Sequence, residues 1–163
     1  MVQNKEKCHN GMQNQHEFDF VAMQMALAEA RAAADEGETP IGAVLTCGEQ
    51  VVATAHNQKE MLNDVSAHAE IKVLRLAGGA KGDWRLSDCT LYVTLEPCPM
   101  CTGAILAARV GRVVYGAKNP IAGAMGSVVD LPRYPLGSKP VVEGGVMEDA
   151  CRELLQDFFR RCR

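Results

Sequence analysis

Apolar residues recur at helical spacing between Phe18 and Glu36, at Phe18, Val21, Ala22, Met25, Leu27, Ala28 and Ala32, and Gly37 follows as a C-cap. This predicts a first helix over 18–36. Two β-rich runs come next, Ile41 to Thr46 and Val51 to Ala55, with Cys47-Gly48-Glu49-Gln50 between them, which reads as a hairpin. A polar loop from Asn57 to Asp64 leads into a second helix, Ser66 to Ala77, closed by Gly78-Gly79. The strand Thr90 to Leu95 then runs straight into Glu96-Pro97-Cys98-Pro99-Met100-Cys101 and a third helix ending near Arg109. A strand at Arg112 to Gly116, a long connection from Lys118 to Lys139, a short strand at Val141 to Glu143 and a last helix from Glu148 to Arg160 complete the chain.

That order describes an α/β domain around a sheet of about five strands, with helices on both faces. From Met100 to Ala108 the third helix has no charged side chain, and a helix apolar all round must be covered on every side. A second copy of the chain is the expected cover, so a homodimer is expected.

With 163 residues, 47% of them hydrophobic and 23% charged, the chain fits one soluble domain with a proper core. No apolar run is long enough to span a bilayer. Met1 to Gln15 is polar and lacks the apolar segment of a secretion signal. Residues 1–16 are therefore expected to be a disordered or partly ordered leader, residues 17–163 the single domain, and the cytoplasm the destination. A net charge of −3 gives no global attraction to nucleic acid, so any phosphate-binding surface must be local. The densest basic cluster is Arg160-Arg161-Cys162-Arg163.

Seven cysteines in a chain without a signal peptide suggest thiols or ligands rather than a disulfide frame. Cys8, Cys47, Cys89, Cys151 and Cys162 are scattered singly and read as small buried hydrophobes or incidental surface thiols. Cys98 and Cys101 are the spaced pair. At i and i+3 both sulfurs can point the same way from one helical turn. Pro99 suits the first helical position, and the positive end of the helix dipole favours the thiolate that ligates metal. Ala67-His68-Ala69-Glu70 opens the second helix in the same manner. His68 and Glu70 are roughly 200° apart around an ideal helix, yet at a first turn both could flank one ion. His68, Cys98 and Cys101 would make three ligands for one Zn2+, leaving a position for water, with Glu70 as the nearby base.

Bland alternatives remain beside this one. A thioredoxin-like Cys-x-x-Cys site explains Cys98 and Cys101 but leaves His68 and Glu70 as accidents. A purely structural zinc module would close its shell with a fourth Cys or His, for which Cys89 is the one candidate. The order His-Ala-Glu, about thirty residues, Pro-Cys-x-x-Cys is, however, the signature of zinc nucleobase deaminases.

From Phe18 onward the chain resembles the bacterial tRNA adenosine deaminases of the cytidine deaminase-like superfamily. The resemblance runs through Pro40-Ile41-Gly42-Ala43-Val44, Asn57, Ala67-His68-Ala69-Glu70-Ile71, Thr90 to Cys98, Arg112 to Ala117, Gly123-Ala124-Met125-Gly126-Ser127 and Leu154 to Arg160. It implies a three-layer α/β/α fold with a central five-stranded mixed sheet. It also implies hydrolysis of the wobble adenosine of an arginine tRNA to inosine by a homodimer that grips the anticodon loop. On that likeness Asn57 contacts the flipped nucleoside, although a turn residue after the second strand is an equal reading. The backbones of Ala69 and Pro97 are expected to line the base pocket, and the Asn119 loop to meet sugar or base. In the tail, Phe159 is a candidate stacking face, although a Phe in a terminal helix is more often packing, and Arg160 a candidate phosphate contact, although such a cluster is more often a solvated helix end. The family often carries an Asp with a basic residue close by where this chain has Asn119 and Ile121, which bears on selectivity between ribose and deoxyribose. A deaminase of free purines such as guanine, built on the same metal site, is the nearest rival.

Overall fold

Alternation along the strands decides which helix lies where. A computed structural model describes the backbone of residues 3–162 and the side chains of residues 14–162. Strands β1 (Gly42–Cys47), β3 (Cys89–Leu95) and β4 (Arg112–Ala117) are buried along nearly their whole length, as strands covered on both faces must be. Successive side chains point to opposite faces. Ala43, Leu45, Leu91, Val93, Val113 and Tyr115 therefore enter one core, with α3 (Ala69–Lys81) and α4 (Pro99–Ala107) packed on it. Val44, Tyr92 and Val114 enter the other, covered by α1 (Gln3–Asp35) and α5 (Glu148–Arg161).

With β2 (Gln50–His56) and β5 (Val141–Gly144) the sheet order is β2-β1-β3-β4-β5. β1 is antiparallel to β2 and β3, while β3, β4 and β5 are parallel. This is the expected five-stranded mixed sheet between two helical layers. Two short elements were not expected: a single turn, α2 (Lys59–Leu62), within the polar loop after β2, and a 3-10 turn at Leu131–Arg133 in the long connection.

Three expectations need correction. Helix α1 begins at Gln3, so its start lies ahead of the Phe18 expected for it; the side chains of residues 1–13, Cys8 among them, lie outside the described residues. The buried face of α1 is Ala22, Met23, Ala26, Leu27, Ala30 and Ala33, while Val21 and Met25 are 50% and 37% exposed. Small residues face the sheet because the backbones nearly touch: a Cβ on Gly42 would lie 2.0 Å from the Ala26 carbonyl oxygen and 2.5 Å from the Ala30 nitrogen. Helix α3 runs through Gly78 and Gly79 and ends at Gly82, whose φ of 64° is left-handed. Glycine only weakens a helix, and the apolar contacts of Val73, Leu74 and Ala77 carry this one past the pair.

The third correction concerns cysteine. Cys47 and Cys89 are register partners on β1 and β3 and are joined by a disulfide. Directly opposed residues of an antiparallel pair stand close enough to bond, a relation visible only once the register is known. Cys151 is buried and Cys162 exposed, as expected.

A buried ion pair ties the layers together. Asp19 of α1 accepts two hydrogen bonds from the Arg112 guanidinium, both at 2.7 Å, and one from the Tyr92 hydroxyl at 2.7 Å. Arg112 also pairs with Glu143 on β5. Burial pushes the Asp19 carboxyl up, but the bonds from Arg112, Tyr92 and Gln15 outweigh it and hold the group below its ordinary value. Its contribution is therefore complete above the unfolded carboxylate range and is lost as pH falls through the lower folded value. Asp19→Asn should cost roughly 3–5 kcal/mol in urea denaturation at pH 7, and the deficit should narrow as the pH is taken into the acid range. A deficit that stays constant down to acid unfolding would contradict a charged Asp19.

Candidate active site

The site is built where two helices begin. His68 is the N-cap of α3, with extended backbone at φ −72° and ψ 151°, and Cys98 is the N-cap of α4, at φ −74° and ψ 172°. Neither side chain caps its own helix, so both are available to a ligand. Pro99 takes the first position of α4, where an amide proton would have no intrahelical partner. Cys101 follows one turn later and is fully buried.

Because α3 and α4 lie on the same face of the sheet, their starts meet beyond the end of β3. His68 Nδ1 is 3.8 Å from Cys98 Sγ and 3.5 Å from Cys101 Sγ. One donor atom from each of the three residues lies within 4.8 Å of the other two. Two sulfurs and an imidazole nitrogen at that spacing suit a soft or borderline divalent ion such as zinc. Cys89 is no part of the group, since its sulfur is bonded to Cys47.

Glu70 stands in the first turn of α3, only 4% exposed, and its Oε2 has no hydrogen-bond partner within the protein. A buried carboxylate oxygen without a partner is costly, which marks the place as built for something other than stability. Burial raises the Glu70 carboxyl above the usual range. The hydrogen bond with Cys101, then the neighbouring His68, brings the Cys98 thiol down to about 4. The same bond to Cys98 and burial drive Cys101 up, and His68 is raised chiefly through its bond to Cys98. A thiol held low, an imidazole and a buried acid thus stand together at the two helix starts.

The other expected site residues gather around this centre to different degrees. Asn57 is 5% exposed, at the end of β2, and the next residue's amide donates to the Ala67 carbonyl at 3.0 Å, which sets Asn57 beside the start of α3. Ala69 is buried as the first residue of α3, so its N–H is one of the helix-start donors without an intrahelical acceptor. Pro97 is buried in the strand-to-helix turn, and its carbonyl accepts the Ala124 N–H at 2.9 Å. Asn119 opens the long loop, and its amide donates to Glu96 at 3.1 Å. Phe159 and Arg160 lie at the end of α5 and, with Lys118 and Arg152, border a depression of about 370 Å³. They are neighbours of the Asn119 loop, not of the metal-ligand cluster.

Two residues of consequence were missed. Glu38 is 1% exposed, and its carboxylate accepts the Asn57 Nδ2 at 2.9 Å and the Met61 amide at 2.7 Å. Glu96, also 1% exposed, gathers the loop after β4. A lone Glu in a sequence reads as surface, and nothing local distinguishes these two. Glu96 lies within the quoted strand-to-helix run, which was the available hint.

Comparison with known proteins places this geometry. The model of the MafB19-like deaminase family matches residues 17–163. The tRNA-specific adenosine deaminase of Bacillus subtilis (strain 168) is 44% identical over 146 residues, covering 89% of this chain and 91% of that protein. The chloroplastic tRNA(adenine(34)) deaminase of Arabidopsis thaliana is 43% identical in an alignment 159 positions long that covers 87% of this chain but 12% of that much longer protein. A solved structure from work on A-to-I editing by tRNA:A34 deaminases at the wobble position of transfer RNA superposes with a TM-score of 0.80 at 46% identity, covering 82% of this chain and 97% of the other.

The link between Glu38 and Asn57 can be tested apart from any reaction. Glu38→Ala should cost about 1–3 kcal/mol in denaturation, the penalty of an unpaired buried amide, and the loss should shrink when Asn57→Ala is added. Strictly additive losses would show that the two side chains share no bond.

Proposed function

We propose that this chain, which belongs to the MafB19-like deaminase family and groups with the tRNA-specific adenosine deaminases, converts adenosine to inosine at the wobble position of a tRNA. The observation that carries this reading is the triad His68, Cys98 and Cys101 with the buried, unpartnered Oε2 of Glu70 in the next turn. The donor set fits one zinc ion per chain. When bound, zinc lowers the pKa of water and so supplies a nucleophile at neutral pH.

The chain's own residues do the rest. Glu70 takes a proton from the attacking water and passes it to a ring nitrogen of adenine as the C6–O bond forms; it then takes the second proton, from the new C6 hydroxyl, and gives it to the amine as the C6–N bond breaks, so water and adenosine become inosine and ammonia. The buried position of Glu70 keeps those protons from exchanging with bulk solvent. Asn57 and the backbones of Ala69 and Pro97 hold the base, which must leave its stack to reach them. Asn119, Phe159 and Arg160 meet the flanking ribose, bases and phosphates. In this position Phe159, half exposed, offers a stacking face, and Arg160 a charge.

An arginine tRNA is the expected substrate and a homodimer the working form, in the cytoplasm. Support for the dimer comes from α4. Its charge-free outer side opens on a groove of about 1080 Å³ lined by Leu74, Trp84 and Met100 together with the charged Arg75, Asp83 and Arg85, and a second copy seated there would cover it. Among the described residues no helix is long and apolar enough to cross a membrane.

Metal-loaded protein offered an anticodon stem–loop RNA, free adenosine and guanine in parallel should release ammonia from the RNA; release from guanine alone would overturn the reading. Glu70→Gln should keep about one zinc per chain while turnover falls roughly 10²–10⁴-fold. Undiminished turnover would remove Glu70 from the mechanism.

A further inference from the structure

Glu96 does work that the ligand triad and Glu70 do not explain. It sits in the turn between β3 and Cys98, and its carboxylate accepts four hydrogen bonds from one loop. These come from the amides of Asn119 (3.1 Å), Met125 (3.0 Å) and Ser127 (3.0 Å), and from the Ser127 hydroxyl. A carboxylate has about four lone-pair sites, so this one is saturated by donors spread over residues 119–127. The loop closes tightly because residue 123 has no side chain. A Cβ on Gly123 would lie 2.5 Å from Glu96 Oε2 and 2.5 Å from the Asn119 carbonyl oxygen. The Ala124 amide, bonded to the Pro97 carbonyl at 2.9 Å, adds a second tie to the same turn.

The clamp also decides what Asn119 can offer. Its Oδ1 accepts the amides of Ile121 (3.2 Å) and Ala122 (3.0 Å), which occupies the carbonyl end of the side chain. What it can present outward is its Nδ2, a donor. We propose that Glu96 is a positioning residue: it fixes the 119–127 loop against the metal-bearing turn, so that Asn119 meets an acceptor oxygen on the sugar–phosphate backbone next to the reacting nucleoside. This rests on the reading of the site as an RNA adenosine deaminase. Only a group that accepts without donating satisfies four converging donors. The nearly isosteric Gln would turn an NH2 toward some of those N–H groups and release them.

The test uses the full, metal-loaded chain and an anticodon stem–loop RNA. Glu96→Gln should raise KM roughly tenfold while leaving kcat at saturation within about threefold, with metal content unchanged. Amide hydrogen exchange should quicken in 119–127 and remain as in the wild type through α3 and α4. Gly123→Ala should reproduce both effects from the steric side, and the double variant should be no worse than the worse single. If Glu96→Gln does not fold, Ser127→Ala removes one donor alone and should shift KM and exchange the same way to a smaller extent. Normal KM and normal exchange in an active background overturn the clamp; so does a fall in kcat alone, or loss of metal. A wild type inert on the RNA overturns the functional reading instead, together with the role assigned to the loop.

Discussion

Two helix starts have to meet at the end of one strand, and most of the molecule is arranged to make them do so. β3 and β4 are parallel neighbours, so the chain between them must cross over, and α4 is that crossover. Its first turn is therefore delivered to the end of β3, carrying Cys98 and Cys101. α3 lies beside it on the same face, and its N-cap His68 arrives at 3.5 to 3.8 Å from both sulfurs. Shift either helix by one turn, about 5.4 Å, and the three donors no longer surround one point. The close seat of α1 on Gly42 and the Asp19–Arg112 pair act on the opposite face of the sheet. They fix the platform on which α3 and α4 are registered.

Around that centre the buried acids divide the labour. Glu70 is left without a partner for one oxygen, which suits a group that must exchange protons. Glu38 and Glu96 are engaged by donors from neighbouring segments, which suits groups that hold loops still. The same side chain thus serves chemistry where it is under-bonded and geometry where it is fully bonded. On the proposed reading the substrate meets Asn57 after β2, the first turn of α3, the Glu96–Pro97 turn and the loop that begins at Asn119. Phe159 and Arg160 share a separate depression with Lys118, next to that loop.

What could be read from the sequence follows from how local its cause is. The central strands showed as short, nearly continuous β-rich runs because both faces of the sheet are covered, and the ligand triad showed because each half of it is a short motif with fixed spacing at a helix start. Long-range pairings were hidden. The Cys47–Cys89 bond depends on the register of β1 against β3, and no feature near either residue announces it. The inward face of α1 was partly misjudged because the close approach to Gly42 admits only alanine at positions 26 and 30, while Met23 and Leu27 fill the space beside it. Gly78-Gly79 looked like a helix end, yet the packing of Val73, Leu74 and Ala77 ahead of the pair carries the helix through it. Glu38 and Glu96 escaped for a similar reason: a buried acid is recognisable by its donors, and those lie 19 to 31 residues away in the chain.

The proposed reading depends on His68, Cys98 and Cys101 being able to hold one ion through two sulfurs and one imidazole, with Glu70 beside it. X-ray absorption at the zinc edge of the loaded full-length chain reads that shell directly. Two sulfurs at about 2.3 Å and two lighter donors at about 2.0–2.1 Å are expected, with one zinc per chain. A shell of three or four sulfurs, or a chain that binds no stoichiometric zinc, would contradict the arrangement of His68, Cys98 and Cys101 as an open catalytic site.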